Sequence, residues 1–408
     1  MSMRIPASEY SARIEKVRNL MRNKNIDAAF IYHDELYMCN GCYLTNYWPT
    51  IESGAVLVPI EGEPLLLGGP EAIPYADEVS MVKEKRSVEC FIVPEEEYPG
   101  AVIHSMPEIF HEAMGGRPLQ RVGVVGYSRI PFGIMETLTK GLPSVEFVDL
   151  TRDYVLLRAI KSESEISVMA KSFEIGNEGL RAAVSTVRPG ATEFEIAGAA
   201  EGKMRRLGAD GFNFRGLVGS GVRSNGVVPP ASGKRLQSGE LVLIGFSPKV
   251  LGYAAGVAIT VPVDNPPTKA EMQFVNDLVD TLELTRDSIK PGLKGKEIDA
   301  IPRQFLTRKG YGDYLSMGFV HTVGLNEYEL PFFGPNSDDV LEENMTVCID
   351  IAMFNHPVFH GARHEAGYVV RSDGAKPLSQ GLEDLIFSLR DPRGVWSQRS
   401  ESWDCRKG

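Results

Sequence analysis

LEENMTVCIDIAMFNHPVFHGARHEAGYVV, from Leu341 to Val370, holds two apolar runs, each broken by one carboxylate. Met345-Thr346-Val347-Cys348-Ile349 leads into Asp350, and the second run returns through Gly361 and Glu365 to Tyr368-Val369-Val370. Runs of this length and β-branched content, joined by a short segment with Asn, Pro and Gly, predict an antiparallel strand pair. A carboxylate inside such a strand is costly unless paired, protonated or bound to something. Asp350 and Glu365 are therefore site candidates.

A degraded copy of this stretch lies upstream. LQSGELVLIGF (Leu236 to Phe246) matches LEENMTVCIDI (Leu341 to Ile351) and sets Gly245 where Asp350 stands, an offset of 350 − 245 = 105. GYAAG (Gly252 to Gly256) lies over GARHE (Gly361 to Glu365) and sets Gly256 where Glu365 stands, an offset of 361 − 252 = 109. RPGATEFEI (Arg188 to Ile196) repeats as KPGLKGKEI (Lys290 to Ile298), offset 292 − 190 = 102. The pattern predicts two related halves folded face to face, with carboxylates on one side and glycines on the other.

The whole chain has 408 residues, 43% hydrophobic and 24% charged, the composition of a soluble globular protein of one large or two smaller domains. A net charge of −11 without a basic block argues against a nucleic-acid partner. The absence of a membrane-length apolar run or signal sequence, and five scattered cysteines, lead us to expect a reducing cytoplasm. Helices are expected at 8–25 (Ser8 as N-cap), 106–114 and 131–140, alternating with strands near 27–32, 55–59, 64–67, 121–125 and 145–150. These make a small N-terminal α/β domain at 1–154. An α/β domain at 155–390 follows, opened by a long helix with Ser162 and Glu165 as a capping box, and then a polar tail at 391–408. Helices at 193–207, 268–289 and 296–309 complete the repeat.

Several features are weaker. Cys39-Asn40-Gly41-Cys42 has redox-motif spacing but no second pair, so two packed thiols are favoured over a redox or zinc site. Tyr43, Tyr47 and Trp48 are expected on an exposed loop. His356, His360 and His364 are spaced by four, but in a strand pair that spacing makes no metal face. Gly219-Ser220-Gly221 is too weak for a phosphate loop.

Leu157-Arg158-Ala159-Ile160-Lys161-Ser162 with Glu165-Ile166, the PG-x-x-x-x-EI repeats, and the GELVLI and GARHE strands resemble the creatinase, prolidase and aminopeptidase P family over nearly the whole chain. The resemblance implies the pita-bread fold: a small N-terminal α/β domain and a duplicated catalytic domain with a curved antiparallel sheet. The family's peptidases hold two metal ions on five ligands. Those positions are Gly245, Gly256, His321, Asp350 and Glu365 here, so two lack a side chain. The catalytic His of the metal-independent creatinases falls at Val228, and their Tyr and Glu at Ala254 and Ala258. Tyr328-Glu329 matches a His-Glu pair of the family.

From these residues we expect His321 and Glu365 to move protons, with Asp350 either sharing a proton with Glu365 or pairing with Arg363. Arg223, Tyr328, Glu329, Arg363 and His364 are expected to contact substrate, Arg223 by clamping a carboxylate. The leading expectation is a metal-independent hydrolase of small C–N bonded acids, without cofactor and working as a homodimer. The alternatives are a hydrolase of the Xaa-Pro dipeptidase kind with one divalent metal on His321, Asp350 and Glu365, and a non-catalytic binding scaffold.

Overall fold

The structure is a computed structural model that describes residues 4–391. The expected tail, from residue 392 on, lies outside the described residues. Two compact units divide the chain, Met1–Arg158 and Ala159–Gly408.

Unit one is built on a seven-stranded mixed sheet in which an interior strand, Ala28–Asp34, pairs antiparallel with Ser53–Pro59 and parallel with Arg121–Val125. One face of that strand sends Phe30 and Tyr32 into a core with Leu57, Leu67, Ile109, Phe110 and Val124. Each such side chain contributes about 1.5–3 kcal/mol on leaving water. Helices form where the apolar spacing predicts, at Met106–Met114 and Phe132–Gly141. The first helix runs Ala7–Lys24 behind Pro6, so Ser8 lies inside the first turn rather than at the cap. Tyr43 and Tyr47 are not on an exposed loop: both are buried, and Tyr43 belongs to the helix Cys39–Thr45. Cys39 and Cys42 are buried on that helix.

On the other face of Ala28–Asp34, His33 is fully buried against Gly41 and Gly54, and neither ring nitrogen has a hydrogen-bond partner. Burial pulls its imidazole down to about 4 from the ordinary 6.5, against a small opposing pull from Asp34. Below pH 6.5 the unfolded chain takes up a proton that the folded chain refuses until about pH 4. Stability is therefore complete above pH 6.5 and falls as pH drops from there to about 4, by roughly 1.4 kcal/mol per unit. His33→Phe keeps a ring and removes the titrating group. Urea midpoints measured at pH 7 and pH 5 should lie closer together in that variant than in the parent; an equal pH slope in both would exclude His33 as a cause.

Unit two carries an antiparallel sheet whose main path runs Glu329–Phe333, Val320–Thr322, Thr346–His356, His360–Arg371, Val257–Pro262, Leu241–Phe246, Leu217–Ser220. The order is palindromic about the junction of His360–Arg371 with Val257–Pro262. Three strands on each side pair off as repeat partners, as the internal duplication requires, and Glu329–Phe333 is an extra strand at one edge. The long helices Glu163–Thr186, Glu193–Arg206 and Lys269–Ser288 open with capping boxes from Ser162, Thr192 and Thr268. Gly295–Arg308 keeps only the glutamate half, Glu297 accepting from the Lys294 N–H, because a lysine side chain has no acceptor. No helix among the described residues is long and apolar enough to cross a membrane.

Candidate active site

Strand register gathers the site. His321 sits directly opposite Cys348, and Asp350 directly opposite Glu365. Because side chains alternate along a strand, Cys348 and Asp350 share a face. Their cross-strand partners His321 and Glu365 share it too. On its other side Glu365 faces Ala258, whose methyl leaves the space open. Glu327 completes the group from the short loop after His321, where the backbone doubles back through a Gly324 N–H donated to the Asn326 carbonyl. His321, Asp350 and Glu365 are each only 3–4% exposed, and Cys348 is fully buried.

His321 Nδ1 lies 3.2 Å from the Thr322 carbonyl and so carries the hydrogen it donates there. That turns Nε2 towards Glu327 Oε1 and Glu365 Oε1, each 3.5 Å away. Glu365 Oε1 is buried with no hydrogen-bond partner. Burial works against charge on His321, yet Glu327, Glu365 and Asp350 outweigh it and push the imidazole up to about 9. Burial likewise pushes the Glu327 carboxyl up to about 7, with His321 opposing and Glu365 adding to the rise. Burial raises the Cys348 thiol as well, and the nearby carboxylates raise it further. A lone pair on Nε2 facing two carboxylates demands a cation between them, either a proton or a metal ion.

Of its two expected partners, the structure sets Arg363 against Asp350. Its Oδ1 lies 3.0 Å from Arg363 Nε, and burial raises its carboxyl while Arg363 draws it down. The expectation that Arg363 contacts substrate thus meets a guanidinium already facing Asp350 and donating to the Met317 sulfur. Arg223 is no substrate clamp: it pairs with buried Glu193 at 3.0 Å and donates to the Pro230 carbonyl. Glu329 is buried beside Lys161 at 3.9 Å and accepts from the Asn326 N–H, a structural role. His364 points to the opposite face of its strand, where burial pulls it down to about 3, so it is not at the site either. Tyr328 is at the site: its ring is 4.9 Å from His321, stacks on Phe332 at 4.0 Å, and is 52% exposed.

Two residues of the group, Cys348 and Glu327, escape sequence reasoning. Cys348 has the parity of Asp350 in the apolar run, which was the available signal. Glu327 carries none, since only the loop's return places it.

A two-ion centre does not fit. Gly245 and Gly256 offer no ligand atoms, and a side chain at 256 would run into the Glu365 carboxylate and within 2.8 Å of Cys348 Sγ. One ion does fit. Among the described residues, His321, Cys348 and Glu365 place one ligand atom each within 4.8 Å of one another. The unpartnered Glu365 Oε1 points into that space. The alternative ligand set of His321, Asp350 and Glu365 thus meets an Asp350 that faces Arg363 at 3.0 Å, whereas the three donors within reach of one another include Cys348.

Residues 167–372 match the Metallopeptidase family M24, and residues 13–160 the Creatinase/Prolidase N-terminal domain. A Xaa-Pro dipeptidase of Pyrococcus horikoshii is 29% identical over 379 residues, 92% of this chain and 98% of its own. The uncharacterized peptidase YqhT of Bacillus subtilis is 28% identical over 375 residues, covering 92% and 99%. The crystal structure of the prolidase from Pyrococcus horikoshii superposes with a TM-score of 0.77 at 26% identity, over 90% of this chain and 97% of that one. These relatives overturn the expectation of a site without a cofactor, because the family is one of metallopeptidases and the buried donor group suits a divalent ion. By the extent of that match and by its two-domain pita-bread fold, the chain belongs to the Metallopeptidase family M24 and is a hydrolase of C–N bonds.

Proposed function

We propose that the chain is a single-ion dipeptidase for substrates of the Xaa-Pro kind. The observation that carries this reading is the buried cluster of His321, Glu365 and Glu327, with an unsatisfied carboxylate oxygen, beside an open aromatic wall. His321 and Glu365 would hold the ion. When bound, a divalent ion supplies Lewis acidity that polarises the scissile carbonyl and acidifies water.

The chain's own residues do the rest. Glu327 has the most exposed side chain of the three, at 16% against 4–5%, so it is the one that meets incoming substrate. Its carboxylate takes a proton from the attacking water and returns it to the amide nitrogen as the C–N bond breaks. Arg363 faces Asp350 behind the cluster and opposes the rise that burial imposes on its carboxyl. The exposed face of Tyr328, backed by Phe332, packs against the flat apolar edge of a prolyl ring.

The reading is tested on chelated protein reloaded with one equivalent of a divalent ion, assayed on dipeptides ending in proline or alanine. Reloading should restore turnover, and the prolyl substrate should be favoured by roughly tenfold or more. Tyr328→Ala should erase most of that preference. Equal turnover before and after chelation would end the single-ion reading, and equal rates on both dipeptides would end the prolyl one.

A further inference from the structure

We propose that Cys348 is a metal ligand, which makes the centre a mixed His, Cys and Glu site selective for zinc. The inference rests on the single-ion reading and goes beyond it, because it names the third donor and the class of ion.

Three observations converge. Cys348 lies directly across from His321 and next but one to Asp350 on the same strand face, so its sulfur shares their space. His321 Nε2 and Glu365 Oε1 are 3.5 Å apart. Tetrahedral zinc, with bonds of about 2.0–2.3 Å, holds its ligand atoms roughly 3.3–3.8 Å from one another. The third observation is Gly256. A side chain there would run into both the Glu365 carboxylate and, at 2.8 Å, the Cys348 sulfur, so the glycine keeps open the volume these two donors share. The donor that residue 256 does not supply then comes from residue 348.

Other buried groups carry less. His33 has unpartnered nitrogens but no second donor beside it, and the Glu193 cluster is satisfied by Arg223, Ser220 and Ser232.

The donor set decides the ion. A thiolate with an imidazole and one carboxylate suits zinc, whereas manganese and magnesium favour sites built of oxygen. Binding converts the thiol to a thiolate: the S–H proton leaves to buffer and the sulfur electron pair goes to the ion. The ion also displaces the proton that the ion-free cluster holds on His321 Nε2, so uptake of one zinc at neutral pH releases protons from both donors. Glu327, 3.5 Å from His321 Nε2, stays at the open side towards substrate.

The experiment uses the full chain, stripped with chelator and titrated with Co2+ alone. One equivalent should bind with a thiolate-to-cobalt charge-transfer band in the near ultraviolet, and Mn2+ should fail to displace an equal amount of Zn2+. Cys348→Ser should lose the band and weaken Zn2+ binding by at least the roughly 10–100-fold that follows loss of a supporting residue. X-ray absorption of the zinc-loaded parent needs no variant, and should show one sulfur neighbour at about 2.3 Å. One equivalent of ion bound without a sulfur neighbour or band would overturn the Cys348 assignment and leave the single-ion reading standing. No ion bound, or two, would overturn both.

Discussion

Glu365→Gln is expected to lower kcat/KM by a hundredfold or more, with the bound ion lost along with activity. Glu365 Oε1 is a buried carboxylate oxygen without a hydrogen-bond partner, 3.5 Å from His321 Nε2. An amide in its place is neutral, so it neither attracts a cation comparably nor holds His321 in its charged form. Loss of a protein ligand exceeds the roughly 10–100-fold cost of losing a residue behind it. Stability should move the other way. In the ion-free protein Glu365 crowds Glu327 and Asp350 in a buried space, and removing one of several buried carboxylates is neutral or stabilising. Turnover of a prolyl dipeptide, metal content and thermal melting of the chelated protein check the three parts. Full activity with an unshifted melting curve would place the site elsewhere.

The frame of this site was open to sequence reasoning because duplication and strand alternation are local patterns. The matched offsets around Gly245 and Gly256 predict a two-fold sheet, and the palindromic strand order is its realisation. Asp350 and Glu365, singled out as buried carboxylates in paired strands, are indeed directly opposed. Their partners were less accessible. Whether Asp350 turns to Glu365 or Arg363 depends on side-chain directions across one register, and both readings satisfy the same spacing. Cys348 passes for a core residue in an apolar run until His321 is known to lie opposite it. Arg223 stands in a polar Gly/Ser loop that suits a substrate clamp, but a helix far off in sequence delivers Glu193 to it. Long-range pairings of this kind leave no periodic trace. The metal-free expectation was drawn from two glycines in place of ligands, and the metallopeptidase relatives overturn it.

Glu327→Gln should cost about as much turnover as Glu365→Gln but leave the ion in place. Glu327 faces His321 Nε2 at 3.5 Å from a loop rather than a strand, and belongs to no three-donor group among the described residues. A glutamine there keeps shape and some hydrogen bonding but cannot carry a proton from water to the leaving nitrogen. Removing a positioned general acid–base typically costs 10²–10⁴ in rate. Because the lost interaction belongs to the transition state, kcat should fall by roughly a hundredfold or more while KM changes little. Metal content should stay at one equivalent, and the cobalt spectrum should be unchanged. The contrast with Glu365→Gln separates a proton carrier from a ligand, since both variants are inactive and only one is empty. If Glu327→Gln also loses the ion, Glu327 is itself a ligand and the proton must travel by His321. If it keeps both ion and full turnover, proton transfer runs through neither the loop nor this carboxylate.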